Sequence, residues 1–94
     1  MVMSDKIKCS HILVEKHSEA ISLLERIQKG EKFGKLAREF SLDTGSAKRD
    51  GNLGYSGRGK MVKEFEKSAF SLQTGQISEP VKTQYGYHII KRLG

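Results

Sequence analysis

Two short apolar runs near opposite ends of the chain, Ile7–Val14 (IKCSHILV) and residues 85–93 (YGYHIIKRL), have the length and β-branched content of strands. In the first, alternation puts Ile7, Cys9, His11 and Leu13 on one face and Lys8, Ser10, Ile12 and Val14 on the other. A strand apolar on both sides predicts a central position. Between the runs the period changes. Ser18 offers an N-cap with Glu19 in the first turn, and Ala20, Leu23, Leu24 and Ile27 recur at helical spacing until Gly30. Phe33, Leu36, Ala37 and Phe40 repeat the pattern, so a second helix ends near Ser41 and packs on the same strand.

Residues 42–60 hold five of the ten glycines, and turns dominate there, with residues 52–56 able to pair as a brief strand whose buriable side chain is Leu53. Helical spacing returns over residues 61–70, with Val62, Phe65 and Ala69 on one side and Lys60, Lys63 and Lys67 on another. Residues 77–81 contain Pro80 and suit a short or edge strand before the closing one. This order predicts an α+β fold, one small antiparallel sheet with helices around it, rather than a doubly wound sheet.

At 94 residues the chain allows one compact core and excludes a two-domain enzyme. Residues 1–5 read as a flexible N-terminus and 6–94 as the domain. The lone Cys9 excludes an internal disulfide and a multi-cysteine zinc site, and predicts a reducing, cytoplasmic setting. Seventeen Lys and Arg against eleven Asp and Glu leave a charge of +6. The basic residues of Lys60, Lys63 and Lys67 read either as a solvated surface or as a weak docking face for anionic lipid or nucleic acid.

Several motifs bear on chemistry. Gly54 to Lys60 fits the start of a phosphate-binding loop, yet Met61 stands where a Ser or Thr must meet Mg²⁺, and a parallel βαβ unit is lacking. Cys9 and His11 share a strand face and would suit two metal ligands, but no third or fourth ligand accompanies them; the alternatives are a thiol nucleophile or a small buried hydrophobe. His11 and His88 each sit inside an apolar strand, where an imidazole needs hydrogen-bond partners. They read either as structural or as a pair that fixes each other's tautomers beneath a pocket.

Four stretches in order, CSHILV at 9–14, SAKRDGNLGY at 46–55, RGKMVKEFEKSAF at 58–70 and ISEPVKTQYGYHII at 77–90, make the chain resemble the parvulin-type peptidyl-prolyl cis-trans isomerases from Lys6 to Leu93. The resemblance implies the parvulin-like (FKBP-like) fold, a four-stranded antiparallel sheet surrounded by helices. It implies non-covalent acceleration of X-Pro bond rotation in peptides and unfolded proteins by a monomer, without metal or cofactor. His11 and His88 then match the family's histidine dyad, Thr83 a hydroxyl of its hydrogen-bond network, and Asp43 the Cys or Asp beside the rotating amide. Leu53, Met61 and Phe65 match the cup for the proline ring. Ser56 stands where the family carries Phe or another large apolar residue at the rim, which predicts a weaker hold on proline. Lys63 replaces a proline common at that point of the helix. The long basic loop of phosphate-directed members is missing after the first strand, so phosphate dependence is not expected. The competing expectation is a non-catalytic, chaperone-like or anionic-surface-binding module on the same scaffold.

Overall fold

The computed structural model describes residues 6–94; the flexible tail expected over residues 1–5 lies outside them. The elements run β1 (Ile7–Val14), α1 (His17–Gln28), α2 (Phe33–Phe40), α3 (Thr44–Ala47), β2 (Asn52–Ser56), α4 (Lys63–Ser71), β3 (Val81–Thr83) and β4 (Gly86–Arg92). The four strands form one antiparallel sheet in the order β2-β1-β4-β3, so the two apolar end runs become its central pair.

Period-two alternation divides the sheet into two faces. Ile12 and Val14 of β1 and Ile89 of β4 point to one side, where Leu23 and Leu24 of α1 and Phe33 and Leu36 of α2 bury them. Ile7, Cys9 and Ile90 point to the other, where Phe65 and Ala69 of α4 cover them. Ile12, Leu36, Ile89 and Ile90 have no exposed surface, and burying a side chain of this kind contributes about 1.5–3 kcal/mol.

Local chemistry moved three boundaries. Helix α1 begins at His17 and not after a Ser18 cap, because the Glu19 carboxylate reaches back to accept the Lys16 N–H at 3.0 Å. The strand expected over 77–81 starts only at Val81, with an isolated bridge between Ile77 and Lys91. Pro80 has no N–H to give a ladder, and Ser78 meets β4 through its backbone and hydroxyl, both at Ile90. The glycine-rich stretch holds a helical turn, α3, within what composition reads as turns.

Two glycines bind these loops to β1. Gly51 has φ +83° and its carbonyl accepts the His11 N–H at 2.9 Å, while a Cβ there would run into the His11 carbonyl oxygen. Gly86 has φ +137° at the turn from β3 to β4, and a Cβ there would run into the Val14 carbonyl oxygen.

Candidate active site

The register of β1 on β4 sets Leu13 opposite His88 and His11 opposite Ile90, so the histidines are diagonal neighbours on the α4 face. Their rings lie 5.1 Å apart, with planes 21° from parallel, and the two Nδ1 atoms approach to 3.0 Å. Phe65 meets both imidazoles edge-on at 5.6 and 5.3 Å. Beyond them, His11 Nε2 lies 2.7 Å from Asp43 Oδ2, and His88 Nε2 lies 2.7 Å from Thr83 Oγ1.

Donor and acceptor chemistry gives this chain of four side chains one direction. Asp43 can only accept, so His11 Nε2 carries the proton; neutral His11 then accepts at Nδ1, which makes His88 Nδ1 the donor. Neutral His88 accepts at Nε2 from the Thr83 hydroxyl, whose oxygen in turn accepts the Tyr85 N–H at 3.1 Å. Electrostatics agrees with two neutral rings. Burial lowers the pKa of His11, against the opposing effect of the hydrogen bond it donates to Asp43. Burial, and then the neighbouring His11, pushes His88 down to about 4. Both rings protonated would set two N–H groups against each other.

Asp43 reaches this position because the segment before it is stitched to β1. The Leu42 N–H donates to the Leu13 carbonyl at 2.7 Å, and the Leu13 N–H donates to Ser41 Oγ at 3.1 Å. Ser46 of α3, buried, donates its hydroxyl to Asp43 Oδ2 at 2.7 Å, and this bond is the main reason the Asp43 carboxyl lies below its ordinary range.

Above the histidines opens a cavity of about 430 Å³. His11, His88 and Asp43 form its polar side, and Leu53, Met61 and Phe65 its apolar side, with Leu42 and Tyr85 exposed at the rim. Leu53 is aimed there by a register shift, since Cys9 pairs with Gly54 but Ser10 with Asn52, leaving Leu53 as the inserted residue beside Gly54 at φ +73°.

Two sequence expectations are corrected. Ser56 is not among the residues that line the cavity: it pairs with Ile7 at the far end of β1 and borders a narrow crevice with Cys9 and Phe70 that shares Met61 and Phe65 with the cavity. Lys60 does not share a helical face with Lys63 and Lys67, because α4 begins at Lys63; Lys60 lies on the preceding loop and lines the cavity. Sequence reasoning also passed over Ser46, Leu42 and Tyr85. Only the Asp43-to-Ser46 spacing carries a signal, since three residues is the reach of one helical turn.

The chemistry open to this arrangement is narrow. Burial raises the Cys9 thiol pKa, which disfavours a thiolate nucleophile. Both His11 nitrogens are engaged, so the two-ligand metal arrangement with Cys9 lacks its imidazole.

Residues 11–94 match the family described as Rotamase, PPIC-type PPIase domain. A foldase protein PrsA from Geobacillus kaustophilus is 56% identical over 86 residues, covering 92% of this chain and 31% of that protein, so the chain spans about a third of the length of such curated relatives. The solution structure of the parvulin of Nitrosopumilus maritimus is 62% identical with a TM-score of 0.88, covering 99% of this chain and 100% of that one. The structure of Pin from Cenarcheaum symbiosum is 68% identical with a TM-score of 0.85, covering 100% and 97%.

Proposed function

The chain belongs to the PPIC-type, or parvulin, peptidyl-prolyl cis-trans isomerases, and from that premise we propose that its cavity turns X-Pro bonds in peptides and unfolded proteins. The observation that carries this reading is the pairing, across one cavity, of an apolar cup (Leu53, Met61, Phe65) with an ionised carboxylate held by a neutral histidine relay.

Rotation about the peptide bond meets a barrier of about 18–20 kcal/mol, because twisting breaks amide conjugation. No covalent step is needed. The cup holds the proline ring away from water, and water is what best solvates the polar, planar amide. In the planar forms the carbonyl oxygen carries partial negative charge, and that charge fades as the bond twists. A fixed negative charge beside it therefore opposes the planar forms more than the twisted one. Asp43 supplies that charge. It accepts from Ser46 and His11 and its pKa is lowered, so near neutral pH it acts as a carboxylate and not as a hydrogen-bond donor.

The turn from β1 to α1 is only Glu15 and Lys16, too short for a phosphate-gripping loop, so the reaction does not require phosphorylation of the residue before proline.

NMR exchange spectroscopy on a short Ala-Pro peptide tests the proposal. The chain should accelerate exchange, Met61→Ala should weaken peptide binding, and Asp43→Ala should cut turnover more than binding. Exchange no faster than in free peptide would overturn it.

A further inference from the structure

The cavity is apolar and anionic on the sides already described, but its entrance carries a group that the isomerase chemistry does not use. Lys60 lines it, and with both histidines neutral it is the one cation among the described residues of that lining. The residues before it are tied to α4. The neighbouring Arg58 guanidinium sits 4.0 Å over the Phe70 ring, and the Gly59 N–H donates to Glu66 Oε1 at 2.5 Å. On the other flank Met61 and Val62 are themselves part of the cavity wall. The ammonium is exposed, and among the described residues no carboxylate forms an ion pair with it. Glu66, the acid nearest along that loop's contacts, is occupied by the Gly59 N–H.

We propose that Lys60 is a specificity-determining residue that makes the cavity favour an acidic side chain next to the proline. This deepens the isomerase reading and rests on it. With the ring in the cup, a flanking side chain must leave the cavity past its rim. Asp43 repels an acidic one on its own side, and Lys60 attracts it on the wall built by Lys60 and Met61. Among the described residues no carboxylate competes for that charge, and the Gly59–Glu66 hydrogen bond already ties the loop that bears it to α4, so binding costs little backbone entropy. An exposed pair of this kind gives about a two- to fivefold preference, which weakens as salt screens it.

The test compares exchange rates on matched peptides carrying Glu or Gln immediately before proline, and Glu or Gln immediately after it, at low and high salt. In the unmodified chain the Glu-to-Gln ratio of kcat/KM should be about two to five at one of these positions and fall with salt. Lys60→Gln should bring that ratio to about one, and Lys60→Glu should invert it. A ratio unchanged across the three proteins, or a ratio of one at both positions in the unmodified chain, overturns the proposal. No acceleration of the Gln peptides overturns the isomerase reading instead.

Discussion

The two faces of the sheet begin from the same strands and end differently. On the α1/α2 face the inward residues of β1 and β4, Ile12, Val14 and Ile89, are apolar and helices close over them. The opposite face starts the same way with Ile7 and Cys9 under α4, but one turn further along the strand the inward residues become His11 and His88 and the helical cover stops. A buried polar residue is tolerated only if it is fully partnered, and here Asp43, Thr83 and the bond between the two rings provide that. The difference teaches how so small a domain combines stability with a site. One face supplies the closed core, and the other gives up part of its cover and leaves the cavity open.

Substitutions separate the faces by size of effect. Phe65 belongs to both roles, as a buried member of the α4 core and as the edge against both imidazoles, so Phe65→Ala should cost about 3–5 kcal/mol in denaturant unfolding and abolish exchange catalysis together. An unchanged unfolding midpoint would remove Phe65 from the core. Ile12→Ala, on the closed face, should cost about 2–5 kcal/mol while turnover per folded molecule is retained.

Acid should act chiefly through the buried histidines of the open face. His88 is buried with its pKa depressed to about 4 from an ordinary value of 6.5, so the folded state binds fewer protons than the unfolded chain between those values. Its contribution is full above pH 6.5 and is lost as pH falls through about 4, on the order of 3 kcal/mol. His11 shifts in the same direction and adds to the loss. Unfolding midpoints measured from pH 7 to 4 should fall steeply, and His88→Asn should flatten the profile. Equal slopes in both proteins would contradict neutral buried rings.

The smallest effect concerns Ser46. Ser46→Ala should cost about 1 kcal/mol and raise the Asp43 pKa toward its ordinary 3.8, moving the acid edge of the activity profile upward. A purely structural serine would leave that edge in place.

The two-faced sheet was legible in the sequence because alternation is a local property: the faces of β1 follow from residues 7–14 alone. The helix starts and β3 were less so, since Glu19 reaching back to Lys16 and Ser78 standing in for a ladder are side-chain contacts that spacing does not encode. For the site, the residues brought together include His11, Asp43, Thr83, His88, Leu53, Met61 and Phe65; the two histidines stand out by their place inside apolar strands, and the roles of all seven come from resemblance to a family. Ser56 and Lys60 lie elsewhere than expected for different reasons. Ser56 is set at the rim by the resemblance alone, whereas Lys60 is set on a helical face by extending a helix that begins only at Lys63.

The separation of the two faces is tested most directly by exchange spectroscopy on Ile12→Ala and Met61→Ala side by side, at a temperature where both are folded. Met61→Ala should lose about tenfold in kcat/KM, with its stability within about 1 kcal/mol of the unmodified chain, while Ile12→Ala should lose stability and keep its rate. Rates that fall in step with stability in both variants would contradict a division between a closed core and an open catalytic face.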